Sequence, residues 1–189
     1  MGESSMTVAI PRDFHVDNAF SLATSGEAFW LAVYRKAFPG MVRHELCTNI
    51  DQQRQGIDRL IYLSNGNVIA IDEKKRGREY RDILLEHTSN SEYGTPGWIE
   101  KDLAIDYLAY GFVQSRRCYL FPWPMLRRAW AQFGGKWKAE HPRIVASTSV
   151  GNAIYHTVSV AVPTVTLQRA VTTAAVIDVS GMVTTEATR

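Results

Sequence analysis

Apolar positions along this chain recur with two different periods, and the changes of period mark out its elements. From Ser25 to Ala37 the residues Phe29, Trp30, Val33, Tyr34 and Ala37 fall at helical spacing. Ser25 is suited to cap that helix, Glu27 sits in its first turn where the dipole favours an acid, and Pro39-Gly40 ends it. The aromatics on this amphipathic face are expected to pack on a sheet. Short apolar runs bounded by polar turns follow at Ile57–Leu63, Val68–Ile71 and Asp82–Glu86, and they predict three successive strands in a meander. Asn65-Gly66 supplies a hairpin turn between the first two. Met41–Gln55, polar and mixed, predicts an irregular approach to the sheet, in which Gln53 and Arg54 are weak candidates for contacting a phosphate.

Beyond the meander, SNSEYGTPG (residues 89–97) is loop by composition. Trp98–Phe112, with apolar Leu103, Ile105, Leu108 and Phe112, predicts a second helix, Cys118–Phe121 a strand, and Met125–Phe133 a short basic helix stopped by Gly134-Gly135. Trp123, Trp130 and Trp137 are expected to pack a helix against the sheet. Arg143–Val171 is rich in Val, Thr, Ser and Ala and predicts one or two strands interrupted by Pro163. The end of the chain reads equally as an edge strand, a swapped arm or a frayed tail, and residues 1–18 as a loosely ordered arm or one early strand.

A length of 189 residues suits one domain, with a core over about residues 20–135 and a β extension over about 143–189. The net charge of +2 is too small to attract a polyanion globally, so any such binding needs a local patch. Lys74, Lys75, Arg76, Arg78 and Arg81 form one. Cys47 and Cys118 lie far apart without zinc-type spacing and are expected to be buried, reduced thiols. No apolar run approaches the roughly 18 residues needed to cross a bilayer, and the N-terminus lacks a basic start and apolar core, which predicts a soluble, cytoplasmic protein.

The densest chemistry lies in GIDRLIYLSNGNVIAIDEKKR, residues 56–76. Asp58 opens one strand, the turn follows, and the second strand ends in Asp72, Glu73, Lys74 and Lys75. A hairpin brings acids from both strands to one end of the sheet, where carboxylate oxygens can hold a hard divalent cation and an ammonium can orient water or stabilise charge on a phosphate. Side chains alternate along a strand, so either Asp72 and Lys74 or Glu73 and Lys75 face Asp58. A bulge at the strand end would let Glu73 share the site with Asp72.

This order of residues resembles the PD-(D/E)XK nuclease superfamily, whose signature is an acid followed by an acid-x-Lys triplet. The phrases RQGIDRLIYL, IAIDEKKR, DILLEHTS and GWIEKDLAIDYLAY are similar to members found in phages and prophages. The likeness spans roughly residues 20–135. It implies an α/β fold with a restriction-endonuclease-like αβββαβ core, a mixed central sheet flanked by helices, here with a Val/Thr-rich C-terminal β extension. It also implies a DNA endonuclease dependent on Mg²⁺ or Mn²⁺, with Asp58 and Asp72 and a backbone carbonyl near Glu73 on the metal. Similar phage sequences keep the lysine directly after two acidic or amide positions, which favours Asp72 and Lys74 as the working pair, with Lys74 orienting the water. Glu73 and Glu27 are further catalytic candidates. An acid in a first helical turn explains Glu27 equally well. Glu86 is either a base behind the site or a strand-end surface residue. On the substrate side, Lys75, Arg76, Arg78 and Arg81 are candidates for phosphates, and Trp98, with Tyr80 and Tyr93, for stacking on bases. A homodimer is compatible with the resemblance. Two other readings stand beside the enzyme: a nucleic-acid-binding or phage protein that keeps the fold without turnover, and a protein-binding adaptor.

Overall fold

A computed structural model describes residues 25–150 and 153–182, with side chains over residues 26–147 and 154–182. The expected N-terminal arm and the last seven residues of the expected tail lie outside the described residues. In chain order the elements are α1 (Ser25–Ala37), β1 (Met41–Leu46), α2 (Ile50–Arg54), β2 (Arg59–Leu63), β3 (Val68–Arg76), β4 (Asp82–Asn90), β5 (Thr95–Pro96), a 3-10 turn (Trp98–Glu100), β6 (Tyr107–Phe112), β7 (Arg117–Pro122), α3 (Trp123–Glu140), β8 (Arg143–Val150), β9 (Ala153–Pro163), α4 (Thr164–Ala170) and β10 (Ala175–Asp178). They form two compact units, each drawn from separated stretches: one from residues 25–80, Asp102–Leu126 and residues 171–182, the other from Arg81–Lys101 and Arg127–Ala170. The fold is α/β, with a mixed sheet flanked by helices.

The first unit carries a six-stranded sheet in the order β1-β2-β3-β6-β7-β10. Every neighbouring pair is antiparallel except β3 and β6, which run parallel from Ile71↔Tyr107 to Arg76↔Phe112. Helix α1 covers one face, where Phe29, Trp30, Val33 and Tyr34 pack with Ile61, Ile71, Ala109, Cys118, Leu120 and Val179. Each such large side chain contributes roughly 1.5–3 kcal/mol when fully buried. The helix sits close to the sheet because β6 has no side chain beneath it at Gly111, where a Cβ would lie 2.6 Å from the Phe29 ring and 2.8 Å from Trp30. The β2–β3 hairpin turns at Asn65-Gly66 as expected, with Gly66 at φ +86 and Asn65 Oδ1 accepting from the Asn67 N–H at 3.0 Å.

The second unit holds a four-stranded sheet, β5-β4-β9-β8. Long β8 and β9 form a hairpin and β9 pairs antiparallel with β4. Leu84, Ile144 and Ala161 form one buried cluster on it. Trp130 of α3 stacks on His87 of β4 with ring centroids 6.3 Å apart.

Several expected elements are corrected. Trp98–Phe112 is not a helix: it is a 3-10 turn, an irregular stretch and strand β6. A strand buried on both faces shows no alternation, so its apolar residues also satisfied helical spacing. Asp106 docks the strand instead, accepting from the Ala70 N–H and donating its own N–H to the Ala70 carbonyl, both at 2.8 Å. The three-stranded meander exists but is β1-β2-β3, because Met41–Leu46 is a strand and β4 belongs to the other sheet. Helix α3 runs through Gly134-Gly135 to Glu140. A Cβ at Gly134 would lie 2.9 Å from the Trp130 indole, so this glycine makes room for a ring on the buried side of the helix. In the Val/Thr-rich extension β8 and β9 form and Pro163 ends β9 as expected, helix α4 stands where strand was expected, and β10 takes the edge of the six-stranded sheet, one of the three readings of the end. Cys47 and Cys118 are buried free thiols, as expected.

Candidate functional site

The β2–β3 ladder ends at Arg59↔Ile71, and Asp58 and Asp72 are the next residues on the two chains, their carboxyls within hydrogen-bonding reach of each other. Two backbone contacts hold that end. The Asp58 N–H donates to the Ile71 carbonyl at 2.9 Å, and the Glu73 N–H donates to Asp58 Oδ2 at 2.8 Å. No bulge interrupts β3, so alternation holds through Lys75 and decides which pair faces Asp58. Asp72 and Lys74 share its face, and Lys74 Nζ pairs with Asp72 Oδ1. Glu73 and Lys75 point to the α1 side.

Asp72 is 2 % exposed, with Leu108 beside it in register on β6. Burial pushes its carboxyl up from an ordinary 3.8 to about 7; Lys74 opposes that rise, and the Asp58 carboxyl, within hydrogen-bonding reach, adds to it. Two acids this close, one of them dry, can be neutralised by a proton or by a cation. Oxygen-only donors on adjacent strands suit a hard ion such as Mg²⁺ or Mn²⁺, which binds through one or two carboxylates and completes its shell with water and phosphate oxygen. Among the described residues no cluster of three or more His, Cys, Asp or Glu side chains could hold a metal, so this donor set is a pair.

Glu73 and Glu27, the other two acid candidates, lie on the opposite face and are engaged by Arg59. This guanidinium is fully buried. Its Nε donates to Glu73 Oε1 at 2.5 Å, while Nη1 and Nη2 fork onto Glu27 Oε1 and Oε2 at 2.8 and 2.7 Å. Nη1 also reaches His44 Nδ1 at 2.9 Å, and the Tyr34 hydroxyl donates to Glu73 Oε1 at 2.8 Å. The two acids respond differently because they are buried differently. Burial raises Glu73 despite its donors, whereas the Arg59 hydrogen bonds lower half-exposed Glu27. Sequence reasoning passed over Arg59, although a lone arginine inside the apolar run RLIYL signals a buried acid partner.

The substrate-side candidates are dispersed. Lys75 and Arg78 are exposed, but Arg76 is buried and its guanidinium lies 3.6 Å above the Tyr80 ring centroid. Arg81 and Trp98 belong to the second unit, and Trp98 is only 9 % exposed, which leaves little ring surface for a base. Tyr93, also in that unit, is open at 81 %. Gln53 is tied by its Nε2 to the Cys47 carbonyl at 2.8 Å, and Arg54 pairs with Asp51 at 3.5 Å. Glu86 lies on β4. No helix among the described residues is long and apolar enough to cross a membrane. No protein-family model matches this chain, and neither does any curated protein or solved structure.

Proposed function

We propose that this chain is a divalent-metal-dependent endonuclease that hydrolyses phosphodiester bonds in DNA, a phage-type member of the PD-(D/E)XK superfamily. The observation that carries the reading is the meeting of Asp58 and Asp72 across two adjacent strands, with the Lys74 amine paired to the second acid. A helix, a three-stranded antiparallel meander and a parallel strand beside β3 support part of the restriction-endonuclease-like core, while β4, β5 and a 3-10 turn stand where that core has its second helix. In this reading Asp58 and Asp72 would hold Mg²⁺ or Mn²⁺, which would supply Lewis-acid polarisation of the phosphate and a more acidic water. Lys74, one third exposed, presents its ammonium from the same face. There it orients the attacking water and meets the negative charge that grows on the phosphate oxygens. The Glu73 N–H fixes one Asp58 oxygen, so that carboxylate enters the reaction already oriented. Arg78, exposed and four residues beyond Lys74 in sequence, is the candidate for a flanking phosphate, while Lys75 lies on the α1 side.

The test is cleavage of supercoiled plasmid and of single-stranded DNA with Mg²⁺, with Mn²⁺ and with EDTA, alongside Asp72→Ala and Lys74→Ala. Metal-dependent nicking lost in both variants is expected. Cleavage equal to wild type in either variant, or none under any metal, refutes the assignment.

A further inference from the structure

We infer that Arg59 is the positioning residue of the acid pair, acting from the reverse face of the sheet to set the spacing of Asp58 and Asp72 and hence the affinity for a divalent ion. The inference rests on the reading of Asp58 and Asp72 as a metal pair. Its physical basis is a coincidence of neighbours. Arg59 opens β2 directly after Asp58, and Glu73 directly follows Asp72 on β3, so the ion pair between them bridges the two strands immediately beside the two carboxylates. The regular ladder has already stopped there, and beyond it the Asp58 N–H bonds the Ile71 carbonyl and the Asp58 carboxylate accepts from the Glu73 N–H. The reverse-face pair pulls the two strands together, and the Glu27 fork anchors the same guanidinium to α1. Arg59 stands 5.6 Å over the Tyr34 ring and is fully enclosed, so its planar group has one available orientation. A lysine cannot reproduce this geometry, because one ammonium cannot present a fork to Glu27 and a third N–H to Glu73 at once.

The experiment is isothermal titration of Mn²⁺ into the full chain, with no substrate and no turnover, accompanied by thermal unfolding of each variant. The double variant Arg59→Met/Glu73→Met removes both charges together and leaves no orphaned ion in the core, which keeps the fold testable. It is expected to melt close to wild type and to bind Mn²⁺ on the order of tenfold or more weakly, the size of effect seen when a partner behind a metal ligand is lost. Arg59→Lys is expected to fall between the two. Glu73→Gln still accepts from both Arg59 and Tyr34 but removes the charge from the bridge, and is expected to bind between wild type and the double variant. If Glu73→Gln loses as much affinity as the double variant, Glu73 is itself a ligand and the inference is overturned. Equal affinity in wild type, Arg59→Lys and the folded double variant also overturns it, while leaving the nuclease reading intact. Wild-type protein that binds no Mn²⁺ removes the metal pair and the inference with it.

Discussion

Asp72→Asn should make the metal-free protein more stable at pH 8 and deprive it of any response to Mg²⁺. In the native state the Asp72 carboxyl titrates near pH 7 because it is dry and faces Asp58, whereas in the unfolded chain it titrates near 3.8. Between those values the folded protein holds a proton that the unfolded chain has released, so stability falls as pH rises from about 4 to about 7. Above pH 7 the native state carries the full penalty of a buried charge. At about 1.4 kcal/mol per pH unit, the interval from 3.8 to about 7 corresponds to on the order of 4 kcal/mol. Asparagine cannot ionise and so escapes the penalty. Urea denaturation of both proteins in EDTA, from pH 5 to pH 8.5, should give a stability difference that grows in favour of the variant and levels off above pH 7. Saturating Mg²⁺ replaces the proton in wild type and stabilises it by about 2.7 kcal/mol at a hundred times the dissociation constant. The variant should gain nothing comparable. A difference independent of pH, or a variant less stable than wild type at pH 8, would refute the packing of two acids against each other.

Lys74→Met should lower the cleavage rate by on the order of 10²–10³-fold, the effect typical of removing one transition-state donor, while Mn²⁺ titration shows binding retained. Arg59→Ala, which strands Glu73 in the core without its counter-ion, should cost about 3–5 kcal/mol in urea unfolding; a loss under about 1 kcal/mol would mean the pair is not enclosed. Gly111→Val forces a side chain into the space that Phe29 and Trp30 occupy and should destabilise by about 1–3 kcal/mol or more, read as a lower thermal midpoint.

Much of the acid pair was legible because its logic is local. Asp58, a two-residue turn signal and Asp72 lie on one hairpin, and hairpin register follows from turn and alternation alone. The choice between Asp72 with Lys74 and Glu73 with Lys75 was not legible from the acids and lysines, since it depends on which face α1 covers. Arg59 settles it structurally: a buried guanidinium demands acids, and Glu73 and Glu27 answer from its own side. Strand β1 was missed because an edge strand with Arg43, His44 and Glu45 carries the polarity of a loop. The assignment of β4 to a different sheet was beyond local reading, because its partner β9 lies some seventy residues further along the chain. Trp98–Phe112 failed for the opposite reason: its burial on both faces erased the period that tells strand from helix.

The parallel pairing of β3 with β6 orders events during synthesis. β3 carries the second acid and the lysine, and its β2 neighbour is available within a few residues, but its other neighbour is not made until the chain has passed through β4, β5 and the 3-10 turn. Loop closure over that excursion must precede the pairing, which makes it a late and slow step. A nascent or truncated chain ending before Tyr107 would therefore carry Asp58, Asp72 and Lys74 while still lacking the strand that flanks Asp72 with Leu108, so the acid pair reaches its finished surroundings only when translation has gone well past the residues that form it.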